Sequence, residues 1–183
     1  FNKIQMFCGA KVISVVDCES VWQVPQILID AGLVELMKEK RFLSSSINLE
    51  RIHRFDVLNC QHTGDPVVVG VVGKYTSLKD SYISIEKALI HASSFCKKQL
   101  EIRWIESVDE LLMAKLKTVD AVIVPGGFGE RGTEGMIDAI KWSREQKIPF
   151  LGICLGFQLA VVECVRNLLG QADAYSEEQR PDG

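Results

Sequence analysis

The sequence predicts an α/β protein built on a parallel sheet, and three observations carry that expectation. Beyond residue 66, short runs of apolar and β-branched residues alternate with helix-length segments. Those runs are apolar on both faces, as strands are when helices cover both sides of a sheet. Glycine-bearing turns, Gly73-Lys74-Tyr75, Pro125-Gly126-Gly127 and Cys154-Leu155-Gly156, follow three of the runs, at the strand ends where such sheets place ligands.

Taken in order, Lys3 to Cys8 reads as a short strand, and Val12 to Val16 as a second β-branched run ending at Asp17. The chain then turns through Asp17-Cys18-Glu19-Ser20. Gln26 to Ala31 is expected to be helical, with Pro25 in the first turn and Gly32 closing it. Leu33 to Phe42 forms a second helix, whose Lys38-Glu39-Lys40-Arg41 run reads as a solvated face. From Ser44 to Pro66 the composition is polar and the periodicity poor, which marks a linker with a short helix around Leu49 to Phe55. The expected domains are therefore 1–43 and 67–183, joined by a linker over 44–66. Strands are expected at Val67 to Val72, Leu100 to Ile105, Ala121 to Val124 and Phe150 to Ile153. Helices are expected at Ser81 to Phe95, Ser107 to Leu116, Gly135 to Glu145 and Leu155 to Leu169. Such βαβ units cross over right-handedly.

Composition narrows the function. Hydrophobic residues make up 47% of the chain and charged ones 25%, which is ordinary for a folded globular protein. A net charge of -3 provides no basic field for nucleic acid or an anionic membrane, so the expected ligands are small molecules. No apolar run approaches the roughly 20 residues that cross a bilayer, and the start does not read as a signal peptide, so a cytoplasmic setting is expected. The six cysteines include no C-x-x-C pair and no zinc-ligand spacing. They read as small apolar groups in a reducing compartment, with one exception.

That exception is Cys154, in Pro149-Phe150-Leu151-Gly152-Ile153-Cys154-Leu155-Gly156, where a strand runs directly into a helix with glycine two residues to either side of the cysteine. This is the pattern of a nucleophile elbow: a tight turn holds the central side chain strained and exposed, and flanking side chains would collide. The start of a helix favours the thiolate, and the N–H of Leu155 is placed to receive an oxyanion. Taken alone, G-x-C-x-G is read equally well as a buried cysteine between packing glycines. The second glycine turn, Pro125-Gly126-Gly127-Phe128-Gly129, shifts the balance, because it ends the preceding strand and can present backbone N–H groups to the same point.

These residues resemble a family. Pro125 to Gly135, followed by Leu151 to Gln158, is similar to the glutaminase domain of CTP synthases, within the class I glutamine amidotransferases. Val72-Gly73-Lys74-Tyr75, Asp80 to Ile85 and Ala88 to His91 resemble the start of that domain, and Lys3 to Cys8 and Asp17 to Pro25 the end of a synthetase domain. The resemblance implies a flavodoxin-like amidotransferase domain, incomplete here, preceded by the tail of a P-loop-type α/β synthetase domain. It implies Cys154 as nucleophile, Gly127 and Leu155 as oxyanion donors, and Gly127, Leu155, Gly156, Phe157, Gln158 and Glu178 as the glutamine pocket. Glu177 is the alternative to Glu178, since the local sequence departs from the family's pattern. Phe128 and Arg131 match residues that receive the activator GTP, although Arg131 is also read as a brace of the turn. Val16, Asp17 and Cys18 match an ATP-binding strand end.

The implied enzyme is a ligase of pyrimidine nucleotide biosynthesis that aminates UTP to CTP with ATP and Mg2+, and assembles as a homotetramer and as filaments. The P-loop, the magnesium-binding acids and the UTP-binding lysines of the family have no counterpart in these residues, and no metal ligands are expected in this chain. The three histidines all precede Cys154, and none sits in the H-x-E motif that completes the family's triad. The expectation is a longer protein, with the 183-residue chain inactive toward glutamine by itself. The alternative reading is a cysteine-elbow module that has lost catalysis and serves regulation or assembly.

Overall fold

The computed structural model describes residues 2–18, 20–43, 48, 63–78 and 80–177. The chain divides into two compact units, residues 1–62 and 63–183.

In the first unit, α1 spans Asn2–Cys8, one 3-10 turn covers Val21–Gln23, and α2 (Val24–Asp30) and α3 (Leu33–Glu39) follow. The Ser20 side chain caps the 3-10 turn by accepting from the Trp22 N–H at 3.4 Å. Pro25 occupies the first turn of α2, where no N–H is needed. Gly32, at φ 85°, lets α2 end and α3 begin within two residues. Leu28 and Ile29 of α2 and Val34 and Met37 of α3 line one shared apolar groove.

Two strand expectations fail here: Lys3 to Cys8 is helical, and Val12 to Val16 forms no regular element. A strand is held by its ladder partners, and among the described residues of this unit there are none. Ile4, Phe7 and Cys8 are spaced three and four apart, which suits a helix. The second expected helix stops at Glu39 because Arg41 turns left-handed, at φ 58°. The helix expected around Leu49 to Phe55 lies outside the described residues.

The second unit alternates as the sequence predicts: β1 (Val67–Gly73), α4 (Ile83–Cys96), β2 (Leu100–Glu106), α5 (Leu112–Leu116), β3 (Ala121–Val124), α6 (Thr133–Gln146), β4 (Phe150–Gly152) and α7 (Leu155–Asn167). The strands form one parallel sheet in the order β2-β1-β3-β4. Val72, Ile105, Val122 and Val124 point to one face, against Leu116 of α5, Met136 and Ile140 of α6 and Leu159 of α7. Val69, Val71 and Ile123 point to the other, against Ile85 and Leu89 of α4. Each such side chain contributes about 1.5–3 kcal/mol on burial. The helix expected from Ser107 begins late, because Asp109 accepts from the Leu111 N–H at 2.8 Å and holds the preceding residues in a turn.

Helices α6 and α7 are tied by the fully buried carboxylate of Glu163, which accepts from Arg144 Nε at 3.1 Å and Nη2 at 2.7 Å. The chain leaves β1 toward β2 on one side and returns to β3 and β4 on the other. The switch between β1 and β3 therefore opens a crevice at their carboxyl ends.

Candidate active site

Val124, the last residue of β3, lies opposite Gly152, the last of β4, and the Ile153 N–H extends the ladder to the Val124 carbonyl at 2.9 Å. The chain then reverses at Cys154, whose backbone stands at φ 52° and ψ -107°. Two other non-glycine residues of positive φ that cap helices, Lys97 (ψ 43°) and Lys147 (ψ 34°), lie in the ordinary left-handed well. Cys154 lies outside it, in a conformation that costs on the order of 1–3 kcal/mol and persists only where neighbours impose it. The neighbours are evident. The Cys154 carbonyl accepts from Phe157 (3.0 Å) and Gln158 (3.1 Å), while that of Ile153 accepts from Gly156 (2.9 Å). A Cβ on Gly156 would stand 2.0 Å from the Val124 oxygen, and one on Gly152 would stand 2.6 Å from the Gly156 oxygen. The two glycines of the pattern are thus the condition for β3, β4 and α7 to meet this closely, and the Cys154 side chain is left exposed.

The Pro125–Gly129 turn lies beside this thiol. A Cβ on Gly126 would come 3.7 Å from Cys154 Cβ. Gly127 lies between Leu155, whose Cδ2 would be 3.2 Å from a Cβ there, and the stem of Lys74, whose Cδ would be at 3.5 Å. Leu155 opens α7, so its N–H has no acceptor within the helix. The Gly127 N–H enters no backbone hydrogen bond among the described residues. The arrangement therefore offers a nucleophile with two backbone donors in its surroundings, the requirement for acyl transfer through a tetrahedral oxyanion.

Other expected site residues are placed with less unity. Phe128 is 76% exposed on the turn. Arg131 is exposed and its Nη2 stands 3.3 Å from Glu106 Oε1, at the end of β2, a bracing contact of the kind exposed pairs make at little gain in stability. Phe157 projects to solvent from the first turn of α7, whereas Gln158 is half-buried and its Oε1 accepts from the Ser176 hydroxyl at 3.4 Å. That contact returns the 171–177 tail to the nucleophile's helix, and Arg166 secures it by donating to the Ala174 carbonyl at 2.6 Å. Glu177 is exposed, and Glu178 lies outside the described residues. Val16, Asp17 and Cys18 lie in the first unit on the irregular stretch before the 3-10 turn. The Cys18 thiol donates to the Ser20 carbonyl at 3.3 Å. Among the described residues, no group of three or more His, Cys, Asp and Glu is placed to hold a metal ion.

The sequence reading assigned no site role to Lys74 or Tyr82. Lys74 follows β1, is only 5% exposed, and its Nζ donates to the carbonyls of Phe128 (3.1 Å) and Gly129. Burial, and then the nearby Arg131 charge, lowers its pKa. Its backbone is held in turn, since the Tyr82 hydroxyl accepts from the N–H groups of Lys74 (3.2 Å) and Tyr75 (3.3 Å). The Tyr82 ring stacks on Trp104 with centroids 5.9 Å apart, and burial raises its pKa. The available signal was a lysine directly after a seven-residue apolar strand, at the edge where ligands gather.

A strained cysteine between a strand and a helix, beside a glycine turn from the adjacent parallel strand, is the arrangement of a nucleophile elbow. The family model described as "Glutamine amidotransferase class-I" matches residues 77–181, and the chain belongs to that family. More particularly, the chain is homologous to CTP synthases over nearly all its length. It is 37% identical to CTP synthase 1 of Saccharomyces cerevisiae over 207 residues, covering 99% of this chain and 36% of that one. To the CTP synthase of Clostridium perfringens it is 43% identical over 196 residues, covering 99% of this chain and 35% of that one. Among solved structures, the Trypanosoma brucei CTP synthase glutaminase domain with bound acivicin matches at 36% identity and a TM-score of 0.57, over 63% of this chain and 47% of that one. The chain thus spans about a third of the length of these curated relatives. Among the described residues, no helix is long and apolar enough to cross a membrane.

Proposed function

We propose that the chain supplies the glutamine-hydrolysing part of a CTP synthase. The observation that carries the reading is the backbone of Cys154, at φ 52° and ψ -107° beside the Gly126–Gly127 turn. Cys154 Sγ attacks the side-chain amide carbon of glutamine, and the carbonyl π electrons move to oxygen. The N–H groups of Gly127 and Leu155 receive that oxyanion, where one such donor is worth about 3 kcal/mol. When the oxyanion collapses, the C–N bond breaks and ammonia leaves, its nitrogen carrying the proton that the Cys154 thiol gave up. Water then hydrolyses the glutamyl thioester to glutamate and restores the thiol. Gln158 and the acid of the 177–178 segment hold the substrate, and Phe128 and Arg131 receive GTP.

In the whole enzyme the ammonia displaces phosphate from a UTP whose O4 has been phosphorylated by ATP, yielding CTP. Val16, Asp17 and Cys18 contribute to the ATP site, and the assembly is a homotetramer.

The test is Cys154→Ala in the intact enzyme. CTP formation from glutamine is expected to vanish while formation from free ammonia persists, because the elbow serves only the ammonia supply. Equal loss of both activities in a folded variant contradicts the assignment.

A further inference from the structure

Lys74 presents an unusual arrangement. Its ammonium group is nearly buried, and it donates to two backbone carbonyls rather than to a carboxylate. The like charge of Arg131, itself paired with Glu106, acts on it unfavourably. Burying a cation is unfavourable unless its donors are satisfied, so the group constrains whatever satisfies it. Here the constrained element is the turn carrying Gly127. The Lys74 stem packs along Gly127, and its head holds the next two carbonyls, of Phe128 and Gly129. Peptide units are planar, so turning those carbonyls inward toward Nζ fixes the 128–129 and 129–130 units, and the stem packed along Gly127 limits how far the preceding 126–127 unit, which carries the Gly127 N–H, can turn. On the other side of Gly127 stands the Leu155 side chain. The lysine is itself anchored through the Tyr82 hydroxyl, which leaves it little freedom to follow a moving turn.

We propose that Lys74 is a positioning residue for the oxyanion site: its buried ammonium clamps the Phe128 and Gly129 carbonyls and, with its stem against Gly127, holds the Gly127 N–H toward the oxyanion that forms on the carbon attacked by Cys154. The inference rests on the glutaminase reading of Cys154 and adds to it a residue that never touches substrate. Clamping acts on the transition state, since the oxyanion exists only there, so the loss of Lys74 is read in kcat and not in KM.

The experiment compares Lys74→Met, Lys74→Gln and Lys74→Arg in the intact enzyme. Each is measured for glutamine hydrolysis, ammonia-dependent CTP formation and melting temperature. In Lys74→Met, kcat for glutamine is expected to fall about 10- to 100-fold, somewhat less than for outright loss of an oxyanion donor, with KM changed by less than about twofold. Ammonia-dependent synthesis is expected to stay at the wild-type level. Lys74→Arg, which keeps charge and donors, recovers most of the loss, and Lys74→Gln, too short to reach both carbonyls, does not. If Lys74→Met fails to fold, Lys74→Gln carries the same expectation. An unchanged kcat in either variant overturns the inference, as does a parallel fall in both activities. Failure of both to fold also overturns it, because Lys74 would then act on the fold and not on the turn. A wild-type enzyme inactive toward glutamine contradicts the glutaminase reading itself, a result distinguishable from all of these.

Discussion

Replacing Gly156 with alanine sets two physical effects of opposite sign against each other. Gly156 lies in the first turn of α7, and helix propensity alone predicts that Gly156→Ala stabilises by about 1 kcal/mol. The structure predicts the reverse. The new Cβ would stand 2.0 Å from the Val124 oxygen, 2.7 Å from its carbon and 3.1 Å from its Cβ, all on the rigid end of β3. Relief requires about 1 Å of movement between a core strand and a core helix, and overpacking of that kind costs about 3 kcal/mol at the upper end. The same Val124 oxygen accepts the Ile153 N–H, so displacing it also forfeits a bond worth about 1 kcal/mol. The net expectation is a destabilisation of about 3 kcal/mol, a fall in melting temperature of roughly 6–12 °C for a chain of this size. Thermal unfolding followed by circular dichroism measures it, with Gly126→Ala as the control. There a Cβ meets Cys154 Cβ at an ordinary 3.7 Å, so stability is expected to hold within about 0.5 kcal/mol. A Gly156→Ala chain that melts at or above the wild-type temperature refutes the close-packed elbow.

Two further outcomes are expected. Lys147 ends α6 at φ 57° and ψ 34°, a region that penalises a side chain, so Lys147→Gly is expected to raise stability in urea unfolding by about 0.5–1 kcal/mol after glycine's greater unfolded-state entropy is deducted. No gain would mean that the left-handed cap carries no strain. Phe128→Ala removes an exposed ring from the turn; with stacking worth about 1 kcal/mol, the apparent affinity for activating GTP should fall severalfold while ammonia-dependent synthesis is retained. An unchanged GTP response removes Phe128 from that site.

The contrast between the two units shows what the sequence could reveal. Apolar runs such as Val67 to Val72 and Ala121 to Val124 are legible because burial on both faces leaves no polar alternation, and their partners lie within the same unit. Lys3 to Cys8 alternates polar and apolar residues at its start, as a half-buried strand does, but has no ladder partner among the described residues. Local composition cannot announce that, and the segment folds as a helix. The elbow was legible because Gly152, Cys154 and Gly156 stand in one contiguous pattern, although only the collision that requires Gly152 is local to the turn and the one that requires Gly156 is with Val124 of β3. The Lys74 clamp was not, because it joins residues more than fifty positions apart in the sequence. No spacing rule connects a lysine after β1 with carbonyls after β3. The Ser176–Gln158 contact escaped for a similar reason, since it depends on how the chain returns after α7.

Backbone geometry, and not exposure, sets Cys154 apart from the other exposed thiols. Cys8, Cys96, Cys154 and Cys164 are all free and exposed, so simple accessibility predicts that all four react. The direct measurement treats the protein with a glutamine-mimicking electrophile, with and without excess glutamine, and maps the adducts by mass spectrometry. The predicted result is an adduct confined to Cys154 whose formation slows as glutamine is added. Labelling spread across Cys8, Cys96 and Cys164 at comparable rates, and indifferent to glutamine, would contradict it.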